Sequence, residues 1–162
     1  MITQAQALEL FEYKDGKLFW KIGAHKRTDL IGKEVGTIID EDGRKEVTIH
    51  QKRYKYHRIV FLMFNGYIPL EVDHNDGDAS NNRIENLRPA TRSEQCCNTK
   101  LRKDNTTGIK GVYWDKARDK WIVSINKNKK TVYRARFDDL ELAELVAIEA
   151  RDKYHSSFAR HI

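Results

Sequence analysis

The sequence predicts an α+β protein in two parts: a β-rich segment leading into a strand–loop–helix core, then a small three-stranded sheet backed by one helix. Three observations lead there. Short β-branched, aromatic or apolar runs, separated by Asp-Gly turns, fill the first third of the chain. Apolar residues recur at helical spacing in a few places only, around residues 56–65 and 140–154 and more briefly at 3–12. The charge pattern changes near residue 100, where a turn-rich segment separates a neutral stretch from a strongly basic one. A chain of 162 residues has room for one ordinary domain or two small ones.

Taken in order, Ala5, Leu8 and Phe11 predict a helix over 3–12. Asp15-Gly16 then separates residues 11–13 from 18–20, a hairpin signal, because both residues tolerate the positive φ that a tight hairpin turn requires. Asp42-Gly43 does the same between 36–39 and 47–49. Ile59, Val60, Leu62, Met63 and Phe64 predict a helix over 56–65, ended by Asn65-Gly66. Pro69 precedes a short strand at 71–73, and a polar loop over 75–81 leads into a helix or turn at 83–87. Thr91 or Ser93 can cap a helix over 94–99. Residues 111–115, 121–126 and 131–137 read as three strands, after which Asp138 or Asp139 caps a helix over 140–154. Four divisions follow: 1–55 as a β-rich segment, 56–99 as the core, 100–107 as a linker, and 108–162 as the small sheet-and-helix unit.

Composition narrows the partners. With 40% hydrophobic and 33% charged residues the chain is neither disordered nor membrane-spanning in character, and no apolar run approaches the roughly 18 residues of a spanning helix. The expected setting is cytoplasmic, with no membrane or protein partner implied. Cys96 and Cys97 are neighbours with no second pair, so no structural zinc site is expected. The net charge of +6 is unevenly spread. Residues 1–99 hold 15 Lys/Arg and 15 Asp/Glu, whereas residues 100–136 hold 12 against 3. That basic stretch is interleaved with Tyr113, Trp114, Trp121 and Tyr133, a combination that suits nucleic acid.

The densest set of reactive side chains runs from Asp73-His74 through Asn81-Asn82-Arg83-Ile84-Glu85-Asn86-Leu87-Arg88 to Ala90-Thr91-Arg92-Ser93-Glu94. Hydrolysis of a phosphodiester needs a base to activate water and a cation to offset charge. Asp73 is a hard oxygen donor suited to Mg²⁺ or Mn²⁺, and His74 beside it can take a proton near neutral pH. Neighbours on a strand point to opposite faces, so the strand must end or twist there for both to reach one phosphate.

Over residues 56–98 the sequence resembles the HNH endonuclease family, especially phage-type homing endonucleases without zinc clips: His57-Arg58 opens the preceding helix, Asp73-His74 follows, then Asn86 within Glu-Asn-Leu-Arg. The resemblance implies a ββα-metal fold around one divalent ion, Mg²⁺ or Mn²⁺. It makes Asp73 a metal ligand and His74 the general base, with Asn86 orienting the His74 ring or its loop. Arg58, Arg83 and Arg88 become phosphate contacts, although Arg58 can equally serve the fold. The chain departs from the family at the third motif position, where Gln95 stands in place of His or Asn. Gln95 can still ligate through its amide oxygen, and Asn98, three residues on, is the alternative.

Residues 106–162 resemble a plant-type AP2 domain, on Gly108-Ile109-Lys110-Gly111-Val112-Tyr113-Trp114, Lys120-Trp121, Phe137-Asp138 and the small helix residues Ala143, Ala147 and Ala150. In that family the sheet enters the major groove of DNA and the helix packs behind it. Lys110, Tyr113, Ser124, Asn126, Thr131 and Tyr133 match the DNA-facing positions. Together the resemblances imply a metal-dependent endonuclease that cuts or nicks double-stranded DNA at a preferred site, acting in the host cytoplasm if phage-encoded. Gln95 leaves open a second reading, a weak or inactive nuclease that binds DNA sequence-specifically.

Overall fold

A computed structural model describes residues 2–22 and 27–161. Its elements are mixed α+β, as the sequence predicts. The chain divides into two compact units, Met1–Ala90 and Thr91–Ile162. The division falls ahead of the segment 100–107 expected as a linker, and it parts the expected core 56–99 between the two units.

The first unit opens with α1 (Gln4–Leu10). Thr3 starts it through a capping box: its hydroxyl accepts from the Gln6 amide while the Gln6 side chain accepts from the Thr3 amide. β1 (Phe11–Lys14) and β2 (Lys17–Trp20) pair as the expected antiparallel hairpin, with Asp15 and Gly16 both at positive φ. Gly16 is needed for a second reason, since a Cβ there would lie 3.0 Å from the backbone nitrogen of Arg83. A small sheet follows, in the order β3 (Thr37–Ile38), β4 (Lys45–Ile49), β5 (Lys52–Lys55). Its second turn, His50-Gln51, also has positive φ at both residues, and the sequence reading missed it because neither residue signals a turn. α2 (Tyr56–Asn65) then buries Ile59, Val60, Phe61 and Leu62, and ends at Gly66 in the left-handed conformation expected of a C-terminal glycine.

These elements share one core of Ala7, Phe11, Leu18, Val35, Val47, Tyr56 and the buried face of α2. Tyr56 is fully buried, its hydroxyl accepts the Leu18 amide, and burial pushes its phenol up to about 12. Tyr56→Phe would leave that amide unsatisfied in the core, so it is expected to cost about 1–3 kcal/mol in urea unfolding. An unchanged midpoint would show that the bond contributes nothing. β6 (Glu71–His74) and β7 (Leu87–Ala90) close the unit as an antiparallel pair. A strand at 87–90 was not expected, since Pro89 lacks the amide a ladder uses; a two-stranded pair has free outer edges where that is tolerated. The expected helix or turn at 83–87 is a single 3₁₀ turn, Ile84–Asn86.

In the second unit α3 (Arg92–Cys97) is capped by Thr91 in a second capping box with Glu94, so the helix starts earlier than the expected 94–99. β8 (Val112–Asp115), β9 (Lys120–Lys127) and β10 (Lys130–Phe137) form an antiparallel sheet in the order β10–β9–β8. Asp139, one of the two expected caps, accepts the Leu142 amide at 2.7 Å and starts α4 (Leu140–His155). Ala143, Ala147 and Ala150 recur on one face of α4, and their small side chains let it lie close on Val112, Val123 and Ile125. Trp121 packs against this core with Trp114 across the strand pair, ring centroids 4.6 Å apart. Among the described residues no helix is long and apolar enough to cross a membrane.

Candidate functional site

The motif of the first unit is built on the β6–β7 pair. His74 is the last residue of β6, so the chain turns immediately after it. The register sets Asp73 opposite Arg88 and His74 opposite Leu87. Directly opposed residues in an antiparallel pair share a face. Arg88 accordingly donates through Nε and Nη2 to one oxygen of Asp73, at 3.1 and 2.9 Å. The Asp73 side chain is 8% exposed and that of Arg88 18%, so this ion pair is largely shielded from water.

The loop between the strands is held by its own polar side chains. Asn86 accepts the Asp76 amide at 3.0 Å and donates to the Asp76 carboxylate and the Asn81 carbonyl, each at 2.9 Å. Its main-chain carbonyl also accepts the Asn75 amide. Of the two roles expected for Asn86, these bonds serve the loop. For Asp76, burial raises the carboxyl, but donated bonds from the Asp78 amide, Asn86 and Asn81 outweigh it and hold the group below its usual value. The first hairpin supports the same loop, since the Tyr13 hydroxyl accepts the Ile84 amide at 3.0 Å.

His74 is oriented by a residue the sequence reading did not single out. Its Nε2 lies 3.2 Å from Oδ1 of Asn82, whose Nδ2 donates to the Ser80 carbonyl at 3.1 Å. With the Asn82 amide turned that way, its oxygen accepts from Nε2–H, which leaves the imidazole lone pair on Nδ1. Asn82 is 4% exposed, and a buried amide beside a histidine is the signal that identifies it. On the other side the His57 ring meets His74 edge to face, centroids 5.1 Å apart. Burial first, and then the nearby His74, Lys55, Arg58 and Arg44, push His57 down to about 3, so it is a neutral neighbour at physiological pH.

The three expected phosphate-contact arginines sit in different circumstances. Arg58 donates to the carbonyls of Leu70 and Pro69, both at 2.9 Å, and so fastens the turn that feeds β6. Arg88 is on Asp73, and Arg83 is exposed, 3.9 Å from the open carboxylate of Asp15. Among the described residues no three His, Cys, Asp or Glu side chains gather as a metal cage. Gln95 and Asn98 belong to the second unit, Gln95 on α3 and half-buried, Asn98 at its C-cap and 7% exposed. Both cysteines are free thiols.

In the second unit the sheet face opposite α4 collects Tyr113, Ser124, Asn126 and Thr131, four of the six residues expected there. Two lie elsewhere. Tyr133 pairs with Ile125 and packs on Tyr154 beneath the helix, because a bulge between Thr131 and Tyr133 inverts the alternation of β10. Lys110 turns inward, donating to the carbonyls of Cys97 and Thr99. The same bulge brings Arg134 and Arg136 to the open face, opposite Ser124 and Ile122, and both are exposed. They are not among the positions matched to the DNA-facing ones of the AP2 family, and a one-residue bulge leaves no mark in the sequence.

Two comparisons bear on this arrangement. Residues 54–96 match the HNH endonuclease family, the span that holds α2, β6, the clamped loop, β7 and most of α3. Protein 3.8 of Escherichia phage T7 is 35% identical over 122 residues, an alignment covering 72% of this chain and 98% of the phage protein. The chain therefore belongs to one family with Protein 3.8 and contains an HNH endonuclease domain. No solved structure matches it.

Proposed function

We propose that the chain is a metal-dependent HNH endonuclease that cuts or nicks duplex DNA at a preferred site, as phage-type homing endonucleases do, in the cytoplasm of the host cell. The observation that carries this reading is the end of β6, where Asp73 and a tautomer-fixed His74 adjoin a loop pinned by Asn86. His74 Nδ1 takes the proton from the attacking water, and Asn82 keeps Nε2 protonated while it does so. The donor set suits one hard divalent ion. Mg²⁺ needs only one or two carboxylates and keeps several waters, and a carboxylate has about four lone-pair sites, so Asp73 can accept from Arg88 and still ligate. Asp73 would hold Mg²⁺ or Mn²⁺, and the HNH pattern of the sequence makes Gln95, or Asn98 in its place, the further ligand. When bound, the ion offsets charge on the phosphate and the departing oxygen. Arg83 contacts a neighbouring phosphate, with Arg88 beside Asp73 and Arg58 at the start of β6.

The second unit acts as an AP2-like DNA-binding domain. Tyr113, Ser124, Asn126 and Thr131 meet the duplex together with Arg134 and Arg136. Each phosphate neutralised adds about 0.9 to the log–log dependence of affinity on salt. The double substitution Arg134→Gln and Arg136→Gln is therefore expected to weaken binding at low salt and to lower that slope by roughly 1–2. An unchanged slope would remove this face from the interface.

The decisive assay is nicking of supercoiled plasmid with Mg²⁺ or Mn²⁺, with and without EDTA. Cleavage is expected with either ion and not with EDTA, and Gln95→Ala should reduce it while Gln95→Asn preserves it. The ion pair between Arg88 and Asp73 favours a second reading, in which a cation already occupies the ligand carboxylate and the chain only binds DNA. Absence of cleavage with any divalent ion, alongside intact binding, would select that reading.

A further inference from the structure

The second unit carries an open pocket of about 640 Å³, bounded by α3, the turn between β9 and β10, and the end of α4. Its size is that of a small-molecule site. Five cationic side chains line it, Arg92, Lys110, Lys127, Lys129 and Arg151, together with His155; among the described residues no carboxylate does. Much of the remaining wall is carbon.

Three of these cations are bonded to neutral acceptors. Lys110 donates to two backbone carbonyls, Lys127 to the Tyr154 carbonyl, and Arg151 to the Lys110 carbonyl and the His161 ring. Carbonyl oxygens satisfy donors but leave the net positive charge, and burying that charge is costly. Arg151 is only 1% exposed. Burial, followed by Arg151 and Arg160, pushes Lys110 down to about 8. His155, 7% exposed, bonds the Asn126 carbonyl through Nε2 at 3.0 Å, while its Nδ1 has no hydrogen-bond partner among the described residues. Buried polar atoms without partners are exceptional.

We infer that this pocket binds a phosphate monoester on a flat organic body, with Lys110, Lys127 and Arg151 supplying positive charge to the phosphate and the apolar part of the lining against the base. A free mononucleotide and the 5′-phosphorylated terminal nucleotide of a DNA strand present the same chemistry. A dianion supplies counter-charge to these cations; burial, with Lys110, Lys127 and Arg151 nearby, holds His155 below its ordinary value, so its ring stays neutral and bonded to the Asn126 carbonyl. The site stands whether or not the chain cuts DNA.

Calorimetry on the full-length protein tests this with deoxyadenosine 5′-monophosphate, deoxyadenosine and inorganic phosphate. The nucleotide is expected to bind at least about tenfold more tightly than either part. Lys110→Met should weaken it by about ten- to a hundredfold, the usual effect of losing a charge-assisted bond. Because Lys110 also ties down the carbonyls after α3, a second variant is used: Cys96→Trp, at an exposed position of α3 that lines the pocket, should block binding without changing the melting temperature. A 5′-phosphorylated single strand that displaces the nucleotide, where its 5′-hydroxyl counterpart does not, would identify a DNA end as the source. If neither displaces it, the ligand is a free nucleotide. Equal displacement by both strands would mean a backbone site and overturn the inference. So would nucleotide binding that is absent, matched by phosphate alone, or unaffected in Cys96→Trp.

Discussion

His74→Ala is expected to lower plasmid cleavage by a factor on the order of 10²–10⁴ while leaving DNA affinity within about twofold, the usual contribution of a general base. The expectation is specific because the environment of the ring is specific. Asn82 accepts from Nε2 and spends its own amide on the Ser80 carbonyl, so the proton-accepting atom is Nδ1. Asn82→Ala, which keeps the base but frees its tautomer, should therefore lose less, about tenfold or more, and should show it in the turnover rate rather than in binding. His74→Gln restores bulk and a hydrogen bond to position 74 but no proton acceptor, and should resemble the alanine variant. Near-normal cleavage by His74→Ala would take this residue out of the reaction, and cleavage by His74→Gln would reduce it to a structural group.

Much of this site was legible in the sequence, and what was missed has a common cause. The Asp15-Gly16 hairpin, the stop at Asn65-Gly66 and the three strands of the second unit are signalled by residues within a few positions of the feature itself. Asp73, His74 and Asn86 stood out by type and spacing. Pairing across a loop leaves no such local mark. That Arg88 faces Asp73 depends on the register of β6 and β7, and β7 itself was hidden by Pro89. The bulge in β10 is one extra residue, yet it exchanged Tyr133 for Arg134 and Arg136 on the open face. Lys110 was expected to face DNA from its match to an AP2 position; the carbonyls of Cys97 and Thr99 draw it inward instead. The platform of residues 1–55, which shows no chemistry of its own, holds the loop through Tyr13 and Gly16.

Asp73→Asn is expected to abolish cleavage and, separately, to destabilise the first unit. The two effects arise from different bonds of one side chain. Toward Arg88, Asp73 is the acceptor of a shielded ion pair. Breaking such a pair from one side costs about 3–5 kcal/mol when both groups are fully buried. Arg88 keeps 18% of its side chain in water and asparagine still offers an oxygen, so roughly 1–3 kcal/mol is expected in urea unfolding. Toward the ion, asparagine offers only a neutral amide oxygen, which holds Mg²⁺ or Mn²⁺ far more weakly than the charged carboxylate. The double variant Asp73→Asn, Arg88→Gln separates these effects. Removing the guanidinium relieves the unpaired charge, so stability should return toward wild type, whereas cleavage and the affinity for Mn²⁺ should not. Recovery of both stability and cleavage in the double variant would mean that Asp73 serves only to hold Arg88. The ion would then be bound by other groups.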